Sequence, residues 1–135
     1  MPASTPERPA PAHFGMRHGV AARLDLGLRS AGATLAAFAV ALSAYASHAA
    51  EGDRTRLFIA AAIAFGHALA LAVLPAIAPG RTARMASCLL LAGCVLFAGS
   101  LVAAHLFGAS TRLAPVGGLS MIIGWLLHAA APWRR

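Results

Sequence analysis

The sequence predicts an all-α membrane protein, an up-down-up-down bundle of four transmembrane helices joined by short loops. Three observations carry this. The chain of 135 residues is 59% hydrophobic and 11% charged, where a soluble domain has about 25% charged residues. Its mean hydropathy is +0.73. Four apolar runs follow one another, each near the ~20 residues that cross a hydrocarbon core, and none holds an Arg, Asp or Glu away from its ends. Their Ala, Leu, Val and Gly content suits helix, whereas membrane strands are about half that length and alternate.

Residues 1–20 contain Pro2, Pro6, Pro9 and Pro11 and read as a disordered tail, with Met16 as an alternative start. Residues 21–29 form a basic juxtamembrane segment. Leu24, Leu26 and Leu28 alternate there with polar residues, a pattern that lies along the membrane surface or extends the first helix. The transmembrane domain is 30–131, with helices at about 30–50, 56–78, 83–107 and 113–131, and 132–135 form a basic end. The connections Glu51–Thr55, Pro79–Thr82 and Gly108–Arg112 carry turn residues. Connections this short place successive helices antiparallel as neighbours.

Near its end the first run contains Ala44-Tyr45-Ala46, the small-x-small pattern of a signal-peptidase site. An export signal has an apolar core of about 7–15 residues. This run is longer and three more follow it, so it is expected to stay as a membrane helix.

The net charge is +7 and comes from arginine alone, with no lysine. The arginines form no basic stripe interleaved with aromatics, which argues against nucleic acid as a partner. They serve instead as topology signals. Arg17, Arg23, Arg29, Arg81, Arg84, Arg134 and Arg135 fall on the N-terminal side, and Arg54, Arg56 and Arg112 on the other. Both termini are therefore expected in the cytoplasm, with Trp133 as an interfacial anchor. Cys88 and Cys94 lie in one apolar run, a helical rise of roughly 9 Å apart, too far for a disulfide.

Close packing of small residues drives helix association in lipid. Ala62, Gly66 and Ala70 on the second helix, Gly99 and Ala103 on the third, and Gly117, Ser120 and Gly124 on the fourth are candidate seams, with Gly118 beside them. Pro115 falls in the first turn of the fourth helix, where its missing N–H costs nothing. Pro75 bends or ends the second.

Each helix carries one histidine: His48, His67, His105 and His128. His67 is about eleven residues into its helix, roughly 16 Å deep. Its ordinary reading is an imidazole bonded to a backbone carbonyl or a serine, and its functional reading is a proton relay or ligand site. His48 and His105 lie near one membrane face and would meet only if helices one and three face each other. No metal-ligand spacing, cofactor motif, phosphate loop or set of nucleophile, base and orienter is legible, so no catalytic residue is assigned and the chain reads as non-enzymatic. Ser43, Ser47 and Ser100 are small polar residues of a kind common within membrane helices.

Four stretches resemble one family. Tyr45-Ala46-Ser47-His48-Ala49 is similar to its Gly-Ala-His-Ala-Leu end of the first helix, and Gly66-His67-Ala68-Leu69-Ala70-Leu71 to its His-Ala-Leu-Ala-Leu in the second. Leu96-Phe97-Ala98-Gly99-Ser100-Leu101 resembles its Phe-Ser-Gly-Ser-Leu. Ala114-Pro115-Val116-Gly117-Gly118, with Gly124-Trp125 after it, resembles its Thr-Pro-Ile-Gly-Gly and Gly-Trp. The family is domain-of-unknown-function family 423, small four-helix bacterial inner-membrane proteins with distant mitochondrial relatives. The resemblance spans about 30–131 and implies a four-helix integral membrane protein, with His48, His67, Ser100 and Trp125 as motif residues. It implies no activity. Ile63 and Ala64 stand where the family often has Tyr and Gln, and His105 and His128 fall outside its motifs.

The sequence thus points to a small inner-membrane protein whose partners are the bilayer and either a second copy or a larger membrane complex, in a structural or accessory role. The alternative is a small-molecule or proton transporter using His67.

Overall fold

The computed structural model describes residues 13–131, with side chains from residue 19 onward. The expected tail up to residue 12 and the basic end 132–135 lie outside the described residues. Four helices make up the fold: α1 His13–Ala46, α2 Glu51–Ile77, α3 Arg81–Phe107 and α4 Leu113–Ala130. All four are long and apolar enough to cross a membrane.

Two boundaries differ from the sequence expectation. Residues 13–29 are neither tail nor separate segment but the first turns of a 34-residue α1. An apolar-run criterion finds only the part of a helix that needs lipid, and the arginines, leucines and alanines here are good helix formers. Glu51–Thr55, expected as a loop, is the first turn of α2. Glu51 and Asp53 sit where the helix dipole favours acids, and the turn itself shrinks to 47–50. There α1 stops four residues early, at Ala46, leaving His48 in the turn and exposed.

Turn chemistry ends the other helices. Pro75 stands two residues before the end of α2, and the Ala78 N–H closes that helix on Leu74 O at 2.9 Å. Gly80 starts α3 at φ 134°, and Gly108 closes it in the left-handed region at φ 64°, a conformation glycine takes without strain. The α1–α2 turn and the α3–α4 connection share one end of the bundle, the upper end. The α2–α3 turn lies at the lower end.

Heptad-like stripes set the core. On α2 the buried residues Leu57, Ala61, Ala64, Ala68, Leu71 and Pro75 alternate steps of four and three, the seam pattern of packed helices. α4 does the same with Ala114, Gly117, Met121 and Gly124. α1 packs mainly on α2 and α4 on α3, while α2 and α3 form the central seam and α1 meets α3 only lightly.

Glycine decides the two tightest seams. A Cβ on Gly117 would lie 2.5 Å from Phe97 N and 2.6 Å from Gly93 O, and one on Gly93 would lie 2.7 Å from Gly117 O. These backbones touch only because neither residue has a side chain. Gly124 fits against Leu90 in the same seam, and Gly32 presses α1 onto the Ala68–Ala72 backbone of α2. Large apolar side chains such as Phe38, Ile77, Leu126 and Phe107 point outward, which suits a protein whose solvent is lipid.

Polar side chains join α1 to its neighbours at two levels. Near the lower end Arg84 donates twice to Asp25, Nε to Oδ1 at 2.8 Å and Nη2 to Oδ2 at 3.0 Å, linking α3 to α1. Arg29 Nε donates to Ala72 O at 3.3 Å. Near the upper end Tyr45 of α1 meets His105 of α3. From Asp25 to Tyr45 α1 rises about 30 Å, the thickness of a bilayer's hydrocarbon core.

Candidate functional site

Two histidine centres hold most of the side-chain polar chemistry between helices. The first lies at mid-height of the bundle, with Trp125 exposed on its outside. His67, midway along α2, has Nδ1 2.8 Å from the carbonyl of Ile63 one turn earlier. Its Nε2 accepts from Trp125 Nε1 of α4 at 3.2 Å. Indole nitrogen only donates and a carbonyl only accepts. The two contacts therefore fit one tautomer, with the hydrogen on Nδ1 and a bare Nε2. A second hydrogen on Nε2 would point at the indole N–H. Trp125 also stands edge-on to His67 and near His128, with ring centroids 6.0 Å and 6.3 Å away. His128 Nε2 in turn lies 3.1 Å from Ser87 Oγ on α3. Indole cannot pass a proton from its one N–H while also accepting one, so Trp125 interrupts this row as a relay.

The second centre lies at the upper end. His105, in the last turn of α3, has Nε2 3.1 Å from the Tyr45 hydroxyl. Its Nδ1 is sealed from solvent without an aligned hydrogen bond, and Asp53 Oδ2 of α2 lies 3.1 Å from it. Asp53 Oδ1 also receives Arg56 Nη1 at 3.3 Å, an exposed pair that adds little stability. Carboxylate, imidazole and hydroxyl follow one another in space, with a hydrogen bond between imidazole and hydroxyl only. Unlike indole, the Tyr45 hydroxyl can donate or accept, so His105 keeps that contact in either tautomer.

The expected site residues separate on this geometry. His67 and Trp125 come together. His48 does not join His105, which takes Tyr45 and Asp53 instead. Ser100 is buried and donates to Phe97 O at 3.0 Å on its own helix. Gly117 and Gly124 lie in the α3–α4 seam, and Gly118 makes only ordinary contact with Phe97, at 3.9 Å. Gly66 and Gly99 are exposed, and nothing in the chain lies within 4 Å of a Cβ built on either. Gly32 and Gly93, not singled out in the sequence, hold close backbone approaches. Among the described residues, no group of three or more His, Cys, Asp or Glu could hold a metal ion.

Four apolar helices, tight glycine seams and polar links near both ends define a small all-α membrane protein. Residues 42–118, more than half of the chain, match the family described as "Protein of unknown function (DUF423)". The chain belongs to that family. The match contains Tyr45, Asp53, His67, Gly93 and His105, and ends at Gly118, before Trp125. No curated protein and no solved structure matches the chain.

Proposed function

We propose that this chain is a non-enzymatic structural or accessory component of a larger assembly in the bacterial inner membrane, with both termini in the cytoplasm. The observation that carries the reading is the state of His67. Both of its ring nitrogens are engaged, one by its own helix and one by Trp125, so the imidazole acts as a pin between α2 and α4. A transporter working through His67 needs that ring to exchange a proton, which would break one of the two contacts. The open faces of Gly66 and Gly99 support the same reading, because small residues let a further helix approach closely. The orientation rests on the arginine excess on the side of the termini.

Gentle detergent extraction from native membranes, with cross-linking and mass spectrometry, tests the proposal. It expects a reproducible membrane-protein partner or a homo-oligomer. Monomer alone contradicts it. Proteoliposomes that dissipate a proton gradient, and stop doing so with His67→Ala, would favour the transport reading instead. A single cysteine at Ser110 is expected to react with a membrane-impermeant maleimide in spheroplasts. Reaction only after lysis would invert the orientation.

A further inference from the structure

Three helix ends meet at the upper centre. Tyr45 belongs to the last turn of α1, Asp53 to the first turn of α2 and His105 to the last turn of α3. The acid stands at the start of its helix and the base at the end of its own, the positions where helix dipoles favour an anion and a cation. The His105 side chain is 15% exposed, and Leu42, Leu57, Val102 and Leu106 line the hollow beside it.

The two nitrogens of the ring are held differently. Nε2 lies 3.1 Å from the Tyr45 hydroxyl, which can donate to a bare nitrogen or accept from an N–H. That arm holds in every protonation state. Nδ1 is sealed from solvent, lies 3.1 Å from Asp53 Oδ2 and makes no aligned hydrogen bond. A bare Nδ1 turns a lone pair toward the carboxylate. A neutral Nδ1–H gains little, because hydrogen bonds weaken steeply off-axis. A positive ring is attracted at any angle, because the attraction between charges depends on their distance. The arm to α2 is therefore complete only when His105 is a cation.

Asp53 has room for this second cation. Arg56 Nη1 reaches Oδ1 at 3.3 Å, and a carboxylate accepts on both oxygens. Tyr45 faces the ring from α1 and Asp53 from α2. Among the described residues, no charged side chain of α4 or of the turns hydrogen-bonds or pairs with His105.

We infer that Tyr45, His105 and Asp53 form a proton-controlled latch. Protonation of His105 closes the α2–α3 arm and keeps the α1–α3 arm. Loss of the proton opens the α2–α3 arm alone. Histidine changes charge between about pH 5 and about pH 8, so the upper end tightens as the pH falls through that range. The latch does not depend on an accessory role. The orientation of the chain decides only which compartment's pH it reads.

Double-mutant cycles on the full-length protein, at about pH 5 and about pH 8, test the latch. Reversible unfolding in mixed micelles with dodecyl sulfate is measured for Asp53→Ala, Tyr45→Phe, His105→Leu and the two pairs that include His105. A cycle cancels the titration of the other histidines. At the lower pH the Asp53–His105 coupling is expected to favour folding about two- to fivefold, the range of a partly exposed ion pair. At the higher pH it should vanish. The Tyr45–His105 coupling should be the same at both. An Asp53–His105 coupling that is absent at the lower pH, or equal at the two, overturns the inference. So does a Tyr45–His105 coupling found only at the lower pH, which would put the proton's effect on α1. Where His105→Leu does not fold, spectra of the wild type decide. The Asp53 carboxyl ¹³C resonance is expected to move with the same midpoint as the His105 ring nitrogens, and a carboxyl resonance that ignores that titration overturns the inference.

Discussion

Trp125 Nε1 donates to His67 Nε2 across 3.2 Å, tying the fourth helix to the middle of the second. The contact needs a bare Nε2, so the ¹⁵N spectrum of His67 is expected to show the Nδ1–H tautomer. A ring with both nitrogens protonated at neutral pH would contradict the geometry. Trp125→Phe keeps a large ring but removes the donor. Interhelical hydrogen bonds in membranes are worth about 0.6 kcal/mol on average and up to ~1.7. Thermal unfolding in detergent should show a loss in that range, together with a shift of the His67 Nε2 resonance.

The Gly93–Gly117 crossing predicts an asymmetry among glycines that spacing alone treats alike. Gly117→Val places atoms inside the α3 backbone, and overpacking of this kind costs about 1–3 kcal/mol or more. A Cβ at Gly66 meets nothing in the chain, and Gly66→Val should leave the stability of the isolated protein within about 0.5 kcal/mol. Side-by-side melting curves of the two variants check this. Equal losses would mean that the seam lies elsewhere.

Asp25 and Arg84 form a bidentate pair, with side chains 24% and 21% exposed. Contacting residues in one ion-pair network couple by about 0.5–3 kcal/mol. A double-mutant cycle with Asp25→Asn and Arg84→Gln is expected to return a favourable coupling of that size. Additive losses would show that the pair is spectator to the α1–α3 arrangement.

Gly108 closes α3 with φ 64°. Gly108→Ala forces a Cβ into the left-handed region, at about 1–2 kcal/mol. Gly52, a helical residue with open space around it, should instead tolerate alanine or gain slightly, because alanine favours helix by about 1 kcal/mol over glycine. Opposite signs in the two melting temperatures are the expected result.

The four helices were legible because apolar length is a direct readout of a lipid environment. Their ends were less so. Glu51–Thr55 is polar like a loop, yet acids also belong in the first turn of a helix. The glycine seams were half legible. Gly117 and Gly124 share a face of α4 with Ala114 and Met121, and that face is the buried one. Gly66 and Gly99 have the same local spacing but sit on open faces. In an alanine-rich helix, spacing says which residues align without saying which way they turn. The Tyr45–His105–Asp53 centre joins residues as far as 60 positions apart, so no local motif marks it. Its trace was a shared level: the last turn of α1, the first of α2 and the last of α3 all meet at one end.

The polar links at Asp25–Arg84 and Tyr45–His105 stand about 30 Å apart on the same two helices, and this spacing acts as a gauge. In a bilayer of that thickness both links reach the headgroup boundary without tilt. In a thicker one, at least one is drawn into hydrocarbon. Mismatch costs a fraction of a kcal/mol per ångström, and a bundle pinned near both ends has little freedom to stretch. The protein is therefore suited to membranes of one thickness and disfavours thicker regions. Its distribution between short-chain and long-chain lipid domains would report that preference.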